Sequence, residues 1–179
     1  METKYSKNNK VKKSLSATLI LMTIVIKSQV AIGKTSVTNN SVSLEFSDSE
    51  KKGIVMPYVE NKDGVTENGT IIFDTTDYKL KYLKGGNWFD LTIDNSGKTG
   101  PDIQQSKTEL TDAKVIIGTT TDTANGILVL SDNNKAMILP KVVSPHLNII
   151  DPAPGMMVYD SEKKQLAVYN GTVWTFWKP

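Results

Sequence analysis

The sequence predicts an all-β fold made of two tandem small β-meander modules joined by a polar linker. Three observations predict it. Gly69-Thr-Ile-Ile-Phe-Asp74, Leu80, Gly85 and Trp88 recur as Gly155-Met-Met-Val-Tyr-Asp160, Leu166, Gly171 and Trp174, each displaced by 86 positions without a gap. The apolar runs are short and bounded by Gly, Pro, Asn and Asp, which is how strands rather than helices are punctuated. Gly85-Gly86 and Asn170-Gly171 stand where tight hairpins need positive φ.

Residues 1–28 read as a signal peptide. Five lysines and one glutamate lie in residues 1–14, and the apolar run Leu15–Ile26 follows before Lys27. A basic segment, a short apolar core and a small-residue exit at Ala31 and Gly33 direct export. A bilayer span needs about 20 apolar residues, so this run reads as a signal cut between Lys27 and Lys34 rather than as an anchor, and no membrane span remains after cleavage. Six of the 21 lysines and one of the 19 acids precede the cut, leaving 15 lysines against 18 acids. The basic character therefore belongs to the export segment. With no arginine in the chain and no basic cluster, nucleic acid is not expected as a partner.

The first module spans residues 29–93. Its expected strands are Val42–Phe46, Ile54–Met56, Thr70–Phe73, Lys79–Leu83 and Trp88–Thr92. Leu80 and Tyr82 alternate with Lys79 and Lys81, giving one apolar and one wet face. Residues 94–113 carry Gly97, Gly100 and Pro101 among polar residues and read as the linker, with a weak helical pattern over Lys107–Val115. The second module spans 114–179, with strands at Ile127–Leu130, Met137–Leu139, Met156–Tyr159, Gln165–Tyr169 and Thr172–Trp177. The repeat extends upstream: Ile32-Gly33 matches Ile117-Gly118, Ser47-Asp48 matches Ser131-Asp132, and Lys52–Pro57 matches Lys135–Pro140. Pro57 and Pro140 close their strands because proline cannot donate to the ladder. There is no cysteine, so no disulfide staples the modules. Units this small bury too little to stand alone. They must share a core or associate with a partner.

Residue types that carry catalysis are sparse. His146 is the only histidine, set between Pro145 and Leu147 in an expected loop with no nucleophile elbow to serve it. Asp74 and Asp160 occupy equivalent strand ends and read as turn residues. Asp48-Ser-Glu50 and Asp132-Asn-Asn134 lack the spacing of a calcium loop. No catalytic residue, metal ligand or cofactor is assigned, and the chain is not read as an enzyme. Trp88 and Trp174 read as core residues, whereas Trp177 and Tyr169 are candidates for contact with a protein or glycan partner.

The blocks Gln29–Thr35, Val115–Thr121, Lys135–Val142 and Pro152–Asp160, followed by Leu166-Ala-Val-Tyr-Asn-Gly-Thr-Val-Trp174, resemble flavobacterial-type secreted surface proteins. That family shows the order QVGIGTTTP, GxLxPR, PAxGxxxYxT and YxGxxW. Similar segments occur in gliding-adhesin accessory proteins and phage tail fibres. The family arginine after the proline is Tyr58 here in one copy and Lys141 in the other, and the first copy has Glu67-Asn68-Gly69 in place of Pro-Ala-x-Gly. The resemblance implies a non-enzymatic structural or interaction protein on the outer face of a Gram-negative envelope, an accessory or component of an adhesin or surface filament. Related motifs imply homotrimers in fibres and hetero-complexes near adhesins, and the hetero-complex is the favoured expectation. A glycan-binding surface module using its aromatic residues is the alternative. The resemblance also implies O-glycosylation at Thr75 and Thr123, each of which follows an aspartate.

Overall fold

The structure is a computed structural model that describes residues 29–99, 108, 110, 113–119 and 121–178. The expected signal peptide and most of the expected linker lie outside the described residues. The first copy contributes β1 (Val30–Ile32), β2 (Val42–Phe46), β3 (Ile54–Val55), β4 (Tyr58–Val59), β5 (Ile71–Asp74), β6 (Lys79–Lys84) and β7 (Asn87–Asp90). The second contributes β8 (Val115–Ile117), β9 (Leu128–Leu130), β10 (Ala136–Ile138), β11 (Lys141–Val142), α1 (Pro145–Asn148), β12 (Met156–Asp160), β13 (Gln165–Tyr169) and β14 (Trp174–Trp177). Among the described residues the fold is all-β apart from the single turn of α1.

Two four-stranded arrays share one plan. Strands β4-β5-β6-β7 and β11-β12-β13-β14 each run parallel, antiparallel, antiparallel. The registers coincide position by position: Phe73 faces Leu80 as Tyr159 faces Leu166, and Leu83 faces Trp88 as Tyr169 faces Trp174. The opening strands match too, because Ile32 pairs with Phe46 as Ile117 pairs with Leu130, both in parallel.

The copies are interlocked. Strand β10 of the second copy pairs in parallel with β2 of the first, and β3 of the first pairs antiparallel with β12 of the second. Buried Met56, Phe73 and Leu80 from the first copy pack with Met157 and Val168 from the second. The Tyr58 hydroxyl donates to the Pro154 carbonyl at 2.8 Å and the Met56 N–H to the Gly155 carbonyl at 3.1 Å. Each copy thus completes the hydrophobic burial that neither could reach alone.

The structure departs from the sequence reading at several points. Strands β1, β4, β8 and β11 were not anticipated. They are two or three residues long and form by parallel pairing with a strand distant in sequence. Much of the stretch Lys107–Val115 lies outside the described residues, and its last residue, Val115, opens β8. Helix α1 forms instead around His146, where a loop was expected. In the Asn170-Gly171 turn only Gly171 has positive φ, at 98°. Asn170 contributes its side-chain oxygen, which accepts the N–H groups of Thr172 and Val173. The first residues of the expected linker are docked on that turn: Lys98 N–H donates to the Asn170 carbonyl at 3.0 Å, and Asn170 Nδ2 donates to Asp94 at 2.7 Å.

Candidate association surface

In each four-stranded array one face meets the shared core and the other faces outward beneath the crossover that parallel pairing requires. Residues 60–70 make that crossover in the first copy and residues 143–155 in the second. The same register places different chemistry beneath each.

In the first copy the outward face is ionic. Lys81 faces Asp90 across β6 and β7, and its ammonium contacts Asp90 at 2.8 Å and Asp77 at 2.6 Å. Burial acts to lower the Lys81 pKa, but these two carboxylates outweigh it and raise the value. Lys79 bonds Asp90 at 2.8 Å, and Lys62, on the crossover, reaches buried Asp74 at 2.6 Å. Burial acts to raise Asp74, yet Lys62 and Thr76 hold it below the usual carboxylate range.

In the second copy the equivalents of Lys81 and Asp90 are Ala167 and Phe176, paired in the same register. Ala167, Val158, Val142 and Ile149 form a small buried cluster beneath α1, with Met156 and Trp174 against it. Ser144 introduces α1 with φ of 43° and donates its hydroxyl to Glu162. Several apolar side chains of this crossover face out. Leu147 is 75 % exposed, Ile150 87 % and Val143 55 %. The exposed His146 ring meets Phe176 edge-on at 5.6 Å. Exposed apolar side chains on one crossover make it a candidate place for meeting another chain.

Asp74 and Asp160 close equivalent turns, each accepting the N–H two residues on, from Thr76 and Glu162. Burial acts to raise Asp160, but the N–H groups of Lys163, Glu162 and Ser144 and the Gln165 amide hold it low. Its lone pairs are engaged with backbone rather than aimed at a substrate. Asp132 bonds Ser43 at 2.6 Å and Lys135 at 3.1 Å. Among the described residues no three His, Asp or Glu side chains converge as metal ligands would.

Trp88 and Trp174 are half-buried rather than enclosed in the core. Tyr169 lies 5.4 Å from Trp174 on the outward face. Trp177 pairs with Leu166, three residues from Tyr169, and so lies on the opposite face. The structure therefore does not bring Tyr169 and Trp177 into one site. Thr75 is half-buried with its N–H bonded to the Val59 carbonyl, and Thr123 is exposed. The sequence reading missed Leu147, Ile150 and Phe176. The available signal was the apolar run from Val142 to Ile150, standing where the first copy has the charged stretch Glu60–Glu67.

Comparison with protein families matches residues 116–178 to the phage tail like trimerisation region. The matched stretch runs from β8 through β14 and contains the whole apolar surface just described. Neither the curated proteins nor the solved structures gave a match. The matched region is named for trimerisation.

Proposed function

We propose that this protein is a non-enzymatic subunit of a trimeric surface fibre, assembled through its second copy. The observation that carries the reading is the replacement of the Lys81–Asp90 ion pair by Ala167–Phe176 at the same register, within the stretch similar to a trimerisation region. The Lys81 ion pair is closed within the first copy, its ammonium already held by Asp90 and Asp77. The apolar pair leaves no charge to satisfy, and Leu147 and Ile150 of the crossover above it are exposed, which suits a face that is covered.

Export by residues 1–28 and a place on the outer face of the envelope complete the proposal. Gln29 bonds the Asn39 and Val42 carbonyls, and β1 starts at Val30. Cleavage before Gln29 keeps this strand, and intact mass of the mature protein checks it. Of the two threonines for O-glycosylation, Thr123 is the accessible one. A hexose-sized mass on its tryptic peptide is the expected result. Glycan binding through Trp177 is the second reading, supported by its 52 % exposure.

Light scattering on the purified chain tests the assembly. Three chain masses are expected, with dissociation on Leu147→Asp. A sharply melting monomer would remove this reading and leave glycan binding, read by tryptophan fluorescence against a sugar panel.

A further inference from the structure

The internal repeat shows which strand edges are used once and which are left open. Strand β2 has a neighbour on each side, β1 and β10. Its equivalent β9 has, among the described residues, only β8, in a two-stranded parallel sheet, an arrangement that is normally buried and extended by further strands. The consequence is visible in exposure. Ser43 and Leu44 on β2 are 1 % and 2 % exposed, whereas their equivalents Ile127 and Leu128 are 69 % and 46 % exposed. The strand that covers β2 is β10, and its equivalent in the first copy is β3, through the match of Lys52–Pro57 with Lys135–Pro140. Strand β3 is held by β12 along one edge, and Val55 stands 45 % exposed.

A second open position answers the first. Strand β12 takes β3 beside Met156 and Met157. The equivalent positions in the first copy, Thr70 and Ile71, take no such strand. A Cβ placed on Gly155, beside the filled position, would meet the side chains of Phe73 and Tyr58, while one on its equivalent Gly69 would meet nothing within 4 Å. The strand equivalent to β3 is β10, whose edge away from β2 carries no strand among the described residues.

Both open positions therefore join the same two partners, the second copy of one chain and the first copy of another. We propose that the copy-to-copy interface inside the chain is repeated between chains. Strand β3 of a second copy of this chain adds in parallel to β9, pairing Ile54 with Leu128 and Val55 with Val129, while β10 adds antiparallel beside Thr70 and Ile71. These registers are those of β10 on β2 and of β3 on β12, transferred through the repeat. The contact is head-to-tail, so it must close into a ring or run on as a filament. Closure among three chains rests on the trimeric reading above.

Because the chain has no cysteine, the register can be tested directly. Neighbouring strands lie about 4.8 Å apart, within the range of about 4.4–6.8 Å that a disulfide spans between Cα atoms. The full-length chain carrying V55C and V129C should oxidise to a covalent trimer, seen on a non-reducing gel, while V55C with I93C should not. Circular dichroism of the reduced proteins confirms that these exposed or half-exposed substitutions leave the fold intact. Amide exchange of residues 127–130 should slow on assembly of the unmodified chain. A trimer by light scattering with no V55C–V129C disulfide and no slowing would overturn this edge pairing while leaving the trimeric reading standing. A disulfide ladder running beyond three would support the pairing and overturn the trimer. A monomer at all concentrations would overturn both.

Discussion

The two copies are the same backbone carrying different surfaces. Lys81 with Asp90 and Ala167 with Phe176 occupy one cross-strand site in two versions, one ionic and one apolar. Below them, the core-facing positions keep their character, with Leu80 and Leu166 identical and Ile71 against Met157 conservative. Register in a half-buried sheet is pinned by the face that meets the core, because a slip of one residue would turn every side chain over. The outward face is free of that constraint and can be rewritten for solvent or for a partner. The first copy uses it for ion pairs around the partly buried Lys81, Lys79 and Lys62. The second carries apolar residues there, as the proposed contact would need.

The largest effect should come from the shared core. Phe73 is fully buried where the copies meet, and its equivalent Tyr159 is only half-buried. Phe73→Ala should cost about 3–5 kcal/mol, enough to unfold most of a small domain, and Tyr159→Ala clearly less. Urea titration with tryptophan emission should show a single transition that reports Trp88 and Trp174 together. Two separate transitions would mean that the copies fold independently and that the interlocking strands contribute little.

Much of this plan was legible because the repeat announced it. Strands β2 and β13 were read to the residue, and the 86-residue displacement carried one hairpin onto the other. What escaped was non-local. Strands β4 and β11 are two residues long and exist because β5 and β12 offer an edge. Nothing in Tyr58-Val59 marks a strand before that edge is present. The exchange of β3 and β10 between copies was equally invisible, since equivalent sequences pair in different ways. The association surface lay half in view. Val142–Ile150 is plainly apolar, but only the fold shows that Ile149 turns in while Leu147 and Ile150 turn out.

The hairpin turns offer a sharper comparison with a smaller effect. A Cβ on Gly171 would lie 2.2 Å from the Lys98 carbonyl oxygen, whereas Gly85 has nothing within 4 Å. Both have positive φ, so alanine at either position costs about 1–2 kcal/mol for the left-handed conformation. Gly171→Ala should cost about 1–3 kcal/mol more, the usual range for overpacking, and should release residues 94–98 to faster amide exchange. Equal losses at both glycines would show that the docked segment contributes nothing to stability.

Acid should also separate the copies. Glu45, on β2, is enclosed with Lys34 at 2.6 Å and the Thr38 N–H and hydroxyl, and the equivalent residue is Val129. Burial acts to raise Glu45, but the bonds from Lys34 and Thr38 bring it down to about 2 from an ordinary 4.5. A carboxylate lowered on folding stabilises the native state above its unfolded pKa and loses that contribution as pH falls through the folded value. Stability should therefore fall between about pH 4.5 and 2. Glu45→Gln should flatten part of that slope in urea midpoints measured against pH, leaving what Asp74 and Asp160 supply. An unchanged slope would place the acid sensitivity elsewhere.

One backbone feature shared by both copies should answer substitution with opposite signs. Tyr78 and Lys164 are equivalent turn residues, and both hold positive φ, 59° and 55°. Glycine relieves that strain, about 1–2 kcal/mol, but brings about 0.5–1 kcal/mol of extra unfolded-state freedom. Lys164 is exposed, so Lys164→Gly should stabilise by a few tenths to about 1 kcal/mol. Tyr78 packs against the shared core, with its Cβ also lying against Gly97, so Tyr78→Gly gains the same relief and loses a buried aromatic contact. It should destabilise, by about 2–4 kcal/mol before the relief is subtracted. Paired denaturation curves decide the matter. If both substitutions moved stability in the same direction, the backbone strain common to the turns would outweigh the packing that distinguishes them. The two copies would then differ less, energetically, than their surfaces suggest.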